Sequence, residues 1–161
     1  MKKIINILLL IMLMISVNSC AGYKPIFNSS NLNFKIVKYE IIGDKILGRQ
    51  IYNKLNYLSK SKKNTDNYGL IINVIKNKKA DVKSSSGKIL YYRINLQTNI
   101  VVKDLDLNEE ILNEKFSYSE ALKVKDQYSE TGKAENKIIK NLINKTYEDF
   151  ITKLSAQIRQ E

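Results

Sequence analysis

Histidine and tryptophan are absent from this 161-residue chain, and cysteine and proline occur once each. Without histidine there is no imidazole for acid–base catalysis or a nucleophile–His–carboxylate triad, and the commonest transition-metal ligand is missing. A single cysteine, Cys20, excludes an intramolecular disulfide. The six glycines are scattered and form no phosphate-cradling loop. No apolar run reaches the ~20 residues that a membrane-spanning helix needs. Carboxylate or Ser/Lys catalysis stays open on residue types alone, but no such pair stands out. A protein that is not an enzyme, and that holds no metal, is therefore expected.

What is present begins at the N-terminus. Met1-Lys2-Lys3 is a short basic start, Ile4 to Val17 is almost wholly apolar, and Val17-Asn18-Ser19-Cys20 ends it with small residues before the cysteine. This is the layout of a secretory signal: basic segment, apolar segment, small-residue cleavage site. The pattern resembles a lipoprotein signal, in which Cys20 is lipidated and becomes the first residue of the mature protein. Val17 and Ser19 fit that pattern; Asn18 stands where Ala, Ser or Thr is usual. The alternative is an ordinary signal cut elsewhere, which would leave Cys20 a free thiol. On the lipoprotein reading, residues 1–19 are removed, 20–32 form a lipidated tether, and 33–161 form one domain. Acyl chains, palmitate among them, would hold the protein on a membrane, each buried CH2 contributing ~0.8 kcal/mol. The lipid on Cys20 would be the only covalent group, with no cofactor beside it. Ala21 after the cysteine points, by resemblance to enterobacterial sorting, to the outer membrane.

Lys and Arg number 27 against 16 Asp and Glu, a formal charge of +11, or +9 once Lys2 and Lys3 leave with the signal. Such a balance attracts nucleic acid, anionic lipid or acidic glycolipid. Export argues against nucleic acid as a partner. Abundant Lys, Asn and Ile also match an AT-rich coding bias, in which case the lysines are solvated faces.

Phe34 to Ile42 is rich in β-branched and aromatic residues and predicts a strand. Asp44 is a candidate N-cap, and Leu47, Ile51, Leu55 and Leu58 recur at helical spacing, predicting a helix over 45–59. Residues 60–67 are polar and read as a loop. Tyr68 to Lys76 predicts a second strand, with Leu70, Ile72 and Val74 on one face. Lys76 to Lys88 reads as a basic hairpin loop with a flexible Ser84-Ser85-Ser86-Gly87 tip. Leu90 to Val102 alternates strictly, one face apolar and the other carrying Arg93, Asn95, Gln97 and Asn99, open to water or a partner. Ile111 to Ser119 pairs back as a fourth strand; 121–132 is ambiguous. Ile139, Leu142, Ile143, Tyr147, Phe150, Ile151, Leu154 and Ile158 make one stripe on a long helix from about 130 to 158. The expected fold is α+β, order βαβββα: two helices packed on one face of a mostly antiparallel four-stranded sheet, with the first strand parallel to a neighbour.

This element order, together with Cys20-Ala21-Gly22-Tyr23-Lys24-Pro25-Ile26-Phe27 and the Gly48-Arg49-Gln50-Ile51 stretch, resembles the LPS-assembly lipoprotein family (LptE) in its alphaproteobacterial form, over residues 20–161. The resemblance implies an outer-membrane lipoprotein, anchored on the periplasmic side. It would plug the LptD β-barrel, assist its assembly and help insert lipopolysaccharide into the outer leaflet. Cations would meet lipopolysaccharide phosphates through charge-assisted contacts. Charge clustering nominates Lys78, Lys79, Lys83 and Lys88, with Arg93 at the hairpin base. A second reading from a different class is a pilotin or scaffold for another envelope complex, with protein alone as its partner.

Overall fold

The computed structural model describes residues 35–59 and 67–158. The predicted signal segment, Cys20, the tether and nearly all of the 60–67 loop lie outside the described residues.

The chain runs β1 (Lys35–Gly43), α1 (Lys45–Leu58), β2 (Asn67–Lys83), β3 (Ile89–Asp104), β4 (Glu109–Lys123), α2 (Tyr128–Ile158). This is the predicted βαβββα order. The four strands form one sheet in the order β1-β2-β3-β4. β1 lies parallel to β2, which requires a crossover, and α1 supplies it. The β2–β3 and β3–β4 pairs are antiparallel and joined by short connections.

Each element forms for a local reason. Asp44 caps α1, its Oδ1 accepting from the backbone N–H groups of Ile46 at 3.1 Å and Leu47 at 3.0 Å. Just before it, Gly43 takes φ +76, a left-handed conformation natural to glycine, so that the chain turns from β1 into the helix. Leu47, Ile51 and Leu55 then line the buried side of α1. The period-two apolar residues of β2 and β3 point the same way. Ile72, Val74, Ile94, Leu96 and Ile100 meet Ile51 and Leu55 from α1, and Ile143, Phe150 and Leu154 from α2, in one core. Both helices therefore cover the same side of the sheet, and no described element covers the other, the open side.

The strands are longer than the apolar pattern predicts. The Lys76–Lys88 stretch is not a hairpin loop up to its turn. β2 continues through Lys83, and only Ser84 to Lys88 forms the turn, with Gly87 at φ +82 and Ser84 N–H donating to Lys88 O at 2.8 Å. The physical reason is the ladder: Lys78 pairs with Ile94, Lys79 with Arg93 and Lys83 with Ile89, so backbone bonds carry the strand on past the last buried side chain. A bulge between Ala80 and Val82 marks the transition. β4 likewise runs to Lys123, which resolves the ambiguous segment as strand end followed by α2 from Tyr128.

Candidate functional site

Strand parity divides the five nominated cations. Lys78 lies in phase with Ile72, Val74 and Lys76, on the side of the sheet that the helices cover, whereas Lys79 and its register partner Arg93 lie on the open side. The Lys78 ammonium sits 2.6 Å from Glu135 Oε2 of α2 and 4.5 Å from the centre of the Tyr92 ring. Lys76 reaches the same carboxylate at 3.7 Å. Arg93 forms a two-pronged pair with Asp81, Nη2 to Oδ2 at 2.7 Å and Nε to Oδ1 at 3.1 Å. The hydrogen bond and then the charge of Asp81 raise the guanidinium's pKa further. Lys79, Lys83 and Lys88 make no ion pair among the described residues. Three free cations near the turn, rather than five, therefore remain to meet an anion. The parity that separates Lys78 from Lys79 continues from the apolar part of β2 and is readable in the sequence; the Glu135 partner, 57 residues on, is not.

The open side of the sheet has an unexpected composition. Four registered rows of β2, β3 and β4 run from Ile71–Val101–Asn113 to Asn77–Asn95–Ser119. Of these twelve positions only Lys115 is charged. The three intervening rows, on the helix-covered side, hold two charges in nine positions, Lys76 and Glu114. Wet sheet faces usually carry charge along their length; these four rows carry almost none, and the charges of the open side lie at their ends and on β1. At the middle of the open face is a shallow depression of about 360 Å³, lined by Asn73, Ile75, Gln97, Asn99, Lys115 and Ser117 among others. The Asn99 Oδ1 in it is shielded from solvent and has no hydrogen-bond partner among the described residues. A second groove, about 730 Å³, lies between α1 and α2 beside Ile46, Lys54, Ile139 and Lys140.

Among the described residues no helix is long and apolar enough to cross a membrane.

No protein-family model matches the chain. No curated protein matches it either. Solved structures do. Lipoprotein B from Nitrosomonas europaea superposes with a TM-score of 0.58 at 17% identity, covering 84% of this chain and 91% of that one. Rare lipoprotein B from Shewanella oneidensis gives 0.55 at 9% identity, over 76% of this chain and 97% of that one. A minor lipoprotein from Acinetobacter baumannii gives 0.56 at 13% identity, over 78% and 92%. At these identities the likeness shows a shared fold.

Proposed function

We propose that this chain is an envelope lipoprotein of the LPS-assembly type. It is lipidated on Cys20 and held on the periplasmic side of the outer membrane, where it plugs an LptD-like β-barrel, assists that barrel's assembly and helps insert lipopolysaccharide into the outer leaflet. Its work is binding and positioning, not catalysis. One conjunction carries the reading. The βαβββα fold recurs in three proteins named as lipoproteins, each from a different species. Here it follows a basic-apolar-small signal that ends at the chain's single cysteine. Lys79, Lys83 and Lys88 are the cations available for lipopolysaccharide phosphates.

The test is affinity capture of the full-length protein from detergent-solubilised outer membrane, with mass spectrometry of what accompanies it. A stoichiometric large β-barrel is expected. A different envelope complex in its place would move the protein to the scaffold reading. In parallel, labelled palmitate should enter the wild-type protein and not Cys20→Ala; equal labelling of both would remove the anchor.

A further inference from the structure

We infer that the neutral open face of the sheet, centred on Gln97, is the surface that docks against the lumenal wall of the barrel. This rests on the plug reading above and adds which face makes the contact.

The chain is Lys-rich, yet these solvent-facing rows hold one charge in twelve positions, and amides and hydroxyls stand there instead: Asn73, Asn77, Asn95, Gln97, Asn99 and Ser117. Depletion of charge at the centre with charge at the margin is the anatomy of a protein interface. The margin is present here: Lys79, Arg93 and Asp81 lie at the turn end, and Glu40 and Lys38 on β1. Seven residues of strand at ~3.3 Å each, across three strands ~4.8 Å apart, make a patch of roughly 20 by 15 Å. That is the core of an interface whose standard size is about 800 Å² per partner, with the charged margin supplying the rest. Exposed Ile75 and nearly buried Val101 give the patch apolar ground.

The occupant follows from the same chemistry. Lipopolysaccharide is anionic and needs cations, and these four rows offer only Lys115, the other cations of the open side lying at the margin. The inner surface of an outer-membrane barrel is polar and built of strands, so its side chains present the hydrogen-bonding groups that amides and hydroxyls satisfy.

The experiment places three carboxylates on the face, Asn77→Glu, Gln97→Glu and Ser119→Glu, in the full-length lipoprotein. Its comparison variant places three on the outer side of α2: Asn141→Glu, Thr152→Glu and Ala156→Glu. Captured barrel should fall at least about tenfold for the first and stay unchanged for the second. A photoreactive residue at position 97 of the otherwise wild-type protein should crosslink to the barrel, which keeps the inference testable if the triple variant folds poorly. Undiminished capture without a crosslink overturns the inference alone. So does a loss shared equally by both variants, or a crosslink to a second copy of this chain. So does retained barrel with lost lipopolysaccharide, which would make the face a glycolipid surface. Capture of no barrel by the wild-type protein overturns the plug reading and this inference together.

Discussion

The hydroxyl of Tyr118 in β4 donates a hydrogen bond to the carboxylate of Asp149 in α2, and the Lys145 ammonium lies 4.6 Å from the centre of the same ring. Two residues back, Phe116 meets Phe150 edge-on at 6.4 Å between centroids. The outer strand is thus tied to the long helix by a hydrogen bond, a cation–ring contact and an edge-on aromatic contact, with the Lys153–Glu114 ion pair at 3.7 Å beside them.

That tie has a pH signature. Burial first, then the hydrogen bond to Asp149 and its charge, push the Tyr118 pKa from 10.0 up to about 12. The folded state therefore holds the phenol proton more tightly than the unfolded chain does. The stabilisation is complete below pH 10 and is lost as pH rises from 10 through about 12. Tyr118→Phe is expected to cost about 1 kcal/mol at neutral pH. The stability gap between wild type and variant should close across pH 10–12. A gap that stays constant over that range, measured by denaturant unfolding, would show that the contact contributes nothing.

The cations near the turn make a separable prediction. Lys79→Glu/Lys83→Glu/Lys88→Glu should weaken capture of purified lipopolysaccharide roughly tenfold, about 1.4 kcal/mol, and the loss should shrink in high salt. Lys78→Gln should leave that binding within about twofold, because its ammonium already faces Glu135. Its stability cost should be under about 1 kcal/mol, as for other partly exposed ion pairs. Equal loss of binding from Lys78→Gln would return Lys78 to the anion site.

How much of this was legible in the chain depends on the range of the forces involved. The Asp44 cap, the Leu47–Ile51–Leu55 stripe and the alternation of β3 are local signals, and the structure has them where the spacing puts them. The extension of β2 through Lys83 was not legible. Its apolar alternation stops at Ile75 while the backbone ladder, blind to side-chain type, continues. The division of the basic cluster was half legible: parity puts Lys78 and Lys79 on opposite sides, but only the packing of α2 brings Glu135 to one of them. Tyr118 and Asp149 are 31 residues apart and carry no local pattern that pairs them.

Thr98 is a polar residue misplaced by the same measure. It is fully buried among the core rows, 2% exposed, and its Oγ1 finds no partner among the described residues. An unsatisfied buried hydroxyl costs about 1–3 kcal/mol, and a valine of nearly the same shape removes that cost. Thr98→Val should therefore raise stability by about 1 kcal/mol and the melting temperature by several degrees. A lower melting temperature would mean that the hydroxyl has a partner, such as a buried water.

Two helical glycines should respond with opposite signs. In a solvent-facing helix, Gly→Ala gains about 1 kcal/mol because alanine loses less backbone entropy. Gly132 in α2 meets that condition, since a methyl group there would touch nothing within 4 Å. Gly48 in α1 does not. A methyl group at Gly48 would lie 2.3 Å from Ile41 Cγ2. Ile41 is itself buried and β-branched, so its side chain has little freedom to move aside. The helix would have to retreat from β1, and overpacking of this kind costs about 1–3 kcal/mol. The propensity gain offsets only part of that. Gly132→Ala should raise the melting temperature and Gly48→Ala should lower it. If both rise, α1 does not lie as close to β1 as the Gly48–Ile41 contact requires, and the packing that sets the parallel β1–β2 pair would need to be redrawn.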